Sequence, residues 1–225
     1  MAQPNMRPIL YQTEMVQAIL AKIKSMTRRK SGLDEINENP DAWQLNVAGE
    51  IVMPKVGNKK EKTGFGAFFF NSKLDTKTIF CPYGNVGDVL WVRETWFAQK
   101  YFNGLTENYF YKYKADYDGP VDWNWKPSIH MPKAAARIFL EITDIRVERL
   151  NDISEEDALA EGVLQFEDGT FKNYFTQKGL RAADGVQCLL AKGSFQSLIA
   201  SINGKEIIDK NPWVWVIKFK VIDKP

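Results

Sequence analysis

The sequence predicts an α+β fold: a small mixed sheet curling towards a barrel, with short helices packed against it. Three observations carry this. Strand-like runs and short helical patterns occur without repeated βαβ units, and no Gly-rich phosphate loop follows any strand. The run at residues 213–222 alternates cleanly, with Trp213, Trp215, Ile217, Phe219 and Val221 on one face and Lys218 and Lys220 opposite. The run at residues 137–150 changes phase part-way, as a strand does where a sheet bends.

In chain order, Thr13 can cap a helix, with Glu14 suited to its first turn. Met15, Val16, Ile19, Leu20 and Ile23 recur at helical spacing and predict about three turns. Residues 30–62 are polar and rich in Asn, Gly and Lys, which reads as an insertion with loose hairpins. Tyr83-Gly84-Asn85-Val86-Gly87-Asp88 forms a turn that leads into a strand over residues 89–96. Tyr109, Tyr111 and Tyr113 alternate with Phe110, Lys112 and Lys114, and Trp123 and Trp125 follow in a Pro-flanked loop.

In the long strand, Ile138, Leu140 and Ile142 share one parity, whereas Ile145 and Val147 share the other. A bulge at Thr143-Asp144 reconciles them. Ser154 reads as an N-cap ahead of Glu155, Glu156 and Asp157, and Gly162 ends that short helix. Residues 194–202 predict another.

Composition excludes several function classes. The 225 residues are 44% hydrophobic, enough for a substantial core and for a single domain. No apolar run approaches the ~18 residues of a membrane span. The start lacks a signal layout and the two cysteines, Cys81 and Cys188, lie far apart, so a cytoplasmic, reducing setting is expected.

With one histidine, His130, the usual His/Cys zinc site cannot be assembled, and neither a metal nor another cofactor is expected. The zinc-deaminase signature is missing too. A Ser-His-Asp triad would need His130, which lies in a loop between Ser128 and Pro132. A net charge of +2 is too mild to mark a nucleic-acid binder. Lys22, Lys24, Arg28, Arg29 and Lys30 cluster, as do Lys59, Lys60 and Lys62, but charge runs are more often solvated faces.

If the first helix persists, Lys24 and Thr27 are i, i+3 neighbours at the margin of its apolar stripe. A lysine desolvated there, beside Arg28 and Arg29, loses pKa and can serve as base to a neighbouring hydroxyl. On these residues alone, a snorkelling lysine and a helix-end threonine is the stronger reading. Glu161 is the second oddity, a carboxylate at the helix end where the dipole opposes it. Trp91 and Trp96 would fall on opposite faces of one strand, one in the core and one free to stack on a planar base. Between them, Arg93 and Glu94 offer a fork donor and a carboxylate to base edges or to each other.

Ala18-Ile19-Leu20-Ala21-Lys22-Ile23-Lys24-Ser25-Met26-Thr27-Arg28-Arg29 resembles the opening helix and Lys-x-x-Thr motif of ASCH domains, in the PUA-like superfamily. Gly87-Asp88-Val89-Leu90-Trp91-Val92-Arg93-Glu94 resembles their Gly-Asp turn and strand, residues 142–162 the next strand and helix, and residues 213–221 the closing strand. Val92-Arg93-Glu94-Thr95-Trp96 and Trp125-Lys126-Pro127-Ser128-Ile129-His130-Met131-Pro132 resemble the longer, phage- and bacterium-associated members.

The resemblance implies a small mixed PUA-like β-barrel flanked by short helices. Residues 1–225 would form one domain, with insertions near 30–80, 97–124 and 163–192. It also implies a metal-independent amidohydrolase that removes acyl groups from N4-acylated cytosine or cytidine. In that reading Thr27 is the nucleophile, Lys24 its base and Glu161 the assisting carboxylate, with Arg28, Arg93 and Trp96 binding substrate. Such a protein is expected to act as a monomer without a membrane partner. The alternatives are a PUA-like module binding RNA or a modified base, with the basic run on phosphate and Trp96 stacking, and a phage accessory protein without catalysis.

Overall fold

The alternating run at 213–222 becomes the strand between two cores, because both of its faces carry apolar residues along its first half. In the computed structural model, which describes residues 4–55, 60–104, 106–119, 121–174 and 187–225, the main sheet has five strands. Their order is β1 (Met6–Leu10), β6 (Val89–Arg93), β9 (Phe139–Arg149), β10 (Trp213–Ile222) and β2 (Met26–Arg29). A second sheet joins β3 (Trp43–Met53), β4 (Lys62–Asn71) and β5 (Thr76–Phe80), and a hairpin pairs β7 (Trp96–Asn103) with β8 (Thr106–Tyr113). The helices are α1 (Thr13–Leu20), α2 (Asp34–Glu38), α3 (Glu155–Ala160), α4 (Ala191–Asn203) and α5 (Glu206–Lys210). The class is mixed α+β, as the sequence predicts. Among the described residues no helix is long and apolar enough to cross a membrane.

On one face of the main sheet Trp215, Ile217 and Phe219 join Leu140, Ile142, Ile145, Val147, Val16 and Ile19 in the largest core. On the other, Val214 and Val216 pack with Met26, Ala158 and Phe195 under α3, α4 and α5. A third cluster, around Met131, Phe139 and Trp96, seats the β7–β8 hairpin.

The predicted bulge is present. Lys218 pairs with Asp144 and Phe219 with Ile142, which leaves Thr143 without an opposite residue. The extra residue lets Ile142 and Ile145 enter the same core despite their opposite parity.

The main sheet curls enough for its two edges to touch: Arg29 Nη2 on β2 donates to the Leu10 carbonyl on β1 at 3.0 Å. No ladder joins these strands among the described residues, so the sheet is curled but does not close into a barrel.

Three expectations are corrected. The first helix ends at Leu20 rather than continuing past Ile23: Lys22 adopts φ 62°, and the Ile23 and Lys24 amides both donate to the Ala18 carbonyl. Residues 26–29 pair with β10 instead, and that ladder overrides the helical spacing. Residues 30–62 are not loose, because Leu33 and Ile36 are fully buried in the main core beside Ala67 and Phe69 of β4. The strand over 89–96 is two strands, broken after Arg93. The predicted 163–192 insertion falls partly on residues 175–186, outside the described residues, as does Lys59.

Candidate active site

Two chain segments far apart in sequence meet at the open edge of β2. The first is the tight exit from α1, which carries Lys24 into β2. The second is the end of α3, which is capped by Ser154, whose hydroxyl accepts from the Asp157 amide at 3.1 Å. That helix stops where Glu161 forms its C-cap and Gly162 takes φ 82°. The Ser25 amide donates to the Ala160 carbonyl, and the Phe219 amide to the Ser25 carbonyl, tying both segments to β10.

Lys24 and Glu161 are each only 4% exposed. Lys24 Nζ donates to Glu161 Oε2 at 2.8 Å and to the Glu161 carbonyl at 2.7 Å. Burial, the largest influence, pulls the Lys24 amine below the ordinary lysine range against the opposing pull of Glu161; Arg29 and Arg28 add to the lowering. A neutral amine has two N–H groups, and Glu161 can accept both. The last tetrahedral position of Nζ then carries the lone pair, and in the charged form a third proton.

Arg28 occupies the opposite face of β2 from Thr27, with every N–H engaged. Its Nε donates to Glu148 at 3.0 Å, and its Nη2 to Glu148 at 2.6 Å and Asp157 at 3.0 Å. Its Nη1 reaches Glu161 Oε1 at 3.1 Å and Met26 Sδ at 3.4 Å. Burial lowers its pKa, but Glu161 and Glu148 outweigh burial and raise it overall. Arg146 also pairs with Asp157 and, at 3.0 Å, with Glu148. Five donors are spent on protein atoms, so Arg28 holds the Glu161 carboxylate in place and has none left for a substrate.

Thr27 is 1% exposed, and its Oγ1 makes no hydrogen bond. The Tyr11 hydroxyl is likewise buried without a hydrogen bond of good geometry; burial raises its pKa, and Arg29 and the adjacent Thr27 hydroxyl, near enough to interact with it, oppose that rise. An unsatisfied buried hydroxyl costs about 1–3 kcal/mol, so two side by side mark a place where the fold tolerates strain that a ligand could relieve.

The structure therefore gathers Lys24, Arg28 and Glu161 in one hydrogen-bonded group and buries the Thr27 hydroxyl on the other face of β2. The i, i+3 helical relation between Lys24 and Thr27 is absent, since one residue sits in a turn and the other in a strand. Of the basic run, Lys24 and Arg28 are buried and Lys22 and Lys30 exposed, so it is not one solvated face.

Trp96 is placed elsewhere, with the third cluster, whereas Arg93 ends β6 beside Tyr11, whose amide donates to its carbonyl. Trp96 is a core residue between Met131, Phe139 and Tyr111 and is not a free stacking wall, although its Nε1 lacks a partner. Trp91 packs against the same cluster, so the two tryptophans do not divide into core and wall. The Arg93 guanidinium lies 5.6 Å from the Trp91 ring, with Nε unpartnered. Glu94 pairs with Arg137 rather than Arg93, through bonds of 2.9 and 3.0 Å.

Sequence reasoning missed Tyr11, Glu148 and Arg137. The polar parity of Arg146 and Glu148 along β9 was a readable signal for Glu148. Tyr11 follows a strand of five residues, too short to show a period. Arg137 stands just outside β9, where no pattern marks it.

Among the described residues no group of three or more His, Cys, Asp or Glu side chains is arranged to hold a metal ion. A scan against family models, a search of curated proteins and a search of solved structures each returned no match for the chain.

Proposed function

We propose that this chain is a PUA-like protein of ASCH type and a metal-independent amidohydrolase that removes acyl groups from N4-acylated cytosine or cytidine. One observation carries the reaction class. A buried lysine of lowered pKa has its donors turned to Glu161, and both it and a buried threonine hydroxyl without a well-formed hydrogen bond adjoin Tyr11. The order of elements supports the fold, from the α1–β2 turn through the Gly-Asp turn and the bulged β9 to α3 and β10. The choice of cytosine rests on the resemblance of these segments to ASCH domains.

In the reaction, Thr27 Oγ attacks the acyl carbonyl carbon while its proton passes to the Lys24 lone pair. The tetrahedral intermediate collapses, the C–N4 bond breaks, and the Lys24 ammonium returns the proton to N4. Water, deprotonated by Lys24, then adds to the threonyl ester; the C–Oγ bond breaks, the Lys24 ammonium returns the proton to Thr27 Oγ, and the carboxylic acid leaves. Glu161 orients the amine through both of its Nζ contacts, and Arg28 orients Glu161.

Purified protein incubated with N4-acetylcytidine should shift the ultraviolet spectrum to that of cytidine. No turnover across acetyl and longer acyl groups overturns this reading.

A second reading is binding of RNA or a modified base, and the β7–β8 hairpin favours it. Tyr109 and Tyr111 stack at 6.2 Å and 9°. They line an open concavity of about 560 Å³ with Gln99, Tyr101, Phe110 and Tyr113. Lys112 lies 5.2 Å from the Phe110 ring. Stacking would fall to the exposed rings among these, Tyr101, Tyr109 and Phe110, since Trp96 is buried. Binding of single-stranded RNA should then weaken steeply with salt. Salt-insensitive or absent binding rejects it.

A further inference from the structure

The reaction assigned to Thr27 leaves one requirement unmet: a donor for the oxygen that becomes negative when the carbonyl is attacked. Arg28 cannot supply it, because its N–H groups are committed. The polar group that approaches Thr27 from the other edge of the sheet is the hydroxyl of Tyr11, which follows β1, with Arg29 of β2 against its ring.

Tyr11 is fixed by the fold on several sides. Its amide donates to the Arg93 carbonyl at 3.1 Å, which carries the β1 exit across to β6. Its ring is flanked by Arg29, with Cζ 4.9 Å from the centroid, and by Lys24, with Nζ at 5.8 Å. The side chain is buried beside Ile9, Val16 and Ile19 in the main core, yet its hydroxyl bonds to nothing. A tyrosine that served packing alone would be better replaced by phenylalanine, since the orphan hydroxyl costs about 1–3 kcal/mol. Thr27 is the hydroxyl beside it, but neither group has a well-formed bond, so a ligand atom that meets both is expected at this point.

We propose that the Tyr11 hydroxyl is the oxyanion donor, binding the acyl oxygen of the amide that Thr27 attacks. This rests on the amidohydrolase reading and assigns its missing part. As the Oγ–C bond forms, the carbonyl π pair moves onto oxygen, where the Tyr11 O–H holds it. The pair returns to carbon as the C–N4 bond breaks, and Tyr11 keeps its proton throughout. Burial raises the pKa of the hydroxyl above the ordinary tyrosine value, so it stays a donor wherever Lys24 is neutral enough to act. Arg29 and Lys24, against the ring, add favourable charge near the developing anion.

The test compares the full-length chain with Y11F, and T27A with T27A/Y11F. Y11F should fold with unchanged or higher thermal stability, because it deletes an unsatisfied group. Its kcat should fall roughly a hundredfold with KM little changed, the usual loss when one oxyanion donor is removed. On T27A, which binds without turnover, isotope-edited infrared spectroscopy of bound N4-acetylcytidine should show a lowered carbonyl stretch that T27A/Y11F restores. Near wild-type kcat in Y11F overturns the Tyr11 assignment and leaves the hydrolase reading standing. A wild type that binds N4-acetylcytidine without hydrolysing it, with a Tyr11-dependent carbonyl shift, overturns the hydrolase reading and keeps Tyr11 as the carbonyl donor. A bound carbonyl indifferent to Tyr11, or no binding at all, overturns the inference.

Discussion

The backbone at Gly162 runs so close to Lys24 that a Cβ added to Gly162 would lie 2.8 Å from the Lys24 Cβ. The glycine serves two needs at once, a φ of 82° and the approach that lets Glu161 reach Nζ.

Gly162→Ala should therefore lower stability by roughly 1–3 kcal/mol, the range for strained backbone, and should move Lys24 away from Glu161. Thermal unfolding and turnover of N4-acetylcytidine should fall together. An alanine variant with wild-type melting and turnover would show that the turn relaxes without disturbing the site.

Under the proposed mechanism turnover should rise with pH, because a base at Lys24 must be neutral, and the midpoint should lie below the ordinary lysine pKa. Glu161 raises the Lys24 pKa, so Glu161→Gln should move that midpoint lower still. Lys24→Arg should abolish the rise, since a guanidinium does not deprotonate in this range. A pH–rate profile of the three proteins decides, and retention of wild-type rate by Lys24→Arg would remove Lys24 as the base.

Arg28→Ala leaves Glu148, Asp157 and Glu161 facing one another with Arg146 and Lys24 as their remaining cations. Breaking a buried ionic group in this way costs about 3–5 kcal/mol. Arg28→Lys should recover only part of this, because an ammonium cannot span carboxylates on opposite sides of a planar fork. Chemical denaturation measures both. A substrate-binding arginine would instead raise KM and leave stability intact.

Glu94 is 1% exposed and bonds Arg137 through both oxygens, and Arg137 also meets Asp116 at 2.8 Å. Burial raises the Glu94 pKa against the lowering effect of Arg137. Between the ordinary glutamate value and this raised one, the native state binds more protons than the unfolded chain. Its contribution to stability is then full below that window and declines as pH rises through it. Glu94→Gln should flatten this part of the stability–pH curve. Glu94→Ala, which strands the partly exposed Arg137, should cost about 1–3 kcal/mol at neutral pH.

The fold was legible where the signal was local. The β10 alternation, the Thr143 bulge, the Ser154 cap and the Gly162 stop each follow from residues adjacent in the chain, and each is present. The end of α1 was not legible, because Ile23 continues a helical spacing yet stands exposed. What breaks the helix is the ladder between residues 26–29 and β10, nearly two hundred positions away. Lys24 and Glu161 were each suspect on local grounds, but neither named the other. Arg28 read as part of a basic run because its three carboxylates come from β9, α3 and the helix cap. Trp96 read as a stacking wall because the end of β6 at Arg93, which turns Trp96 into the third cluster, leaves no mark in the pattern.

Thr27 and Arg28 are consecutive on an edge strand, with Ile217 and Val216 as their partners across the ladder. Sliding β2 by a single position would exchange their sides. A guanidinium would then enter the apolar layer beside Ile217, and a hydroxyl would confront three carboxylates stripped of their counter-ion. Both displacements are penalised together, so the charges that make the site also select the one alignment in which it exists. A misaligned chain is unstable for the same reason that it would lose this cluster, and selection for a sound fold here is at once selection for an intact cluster.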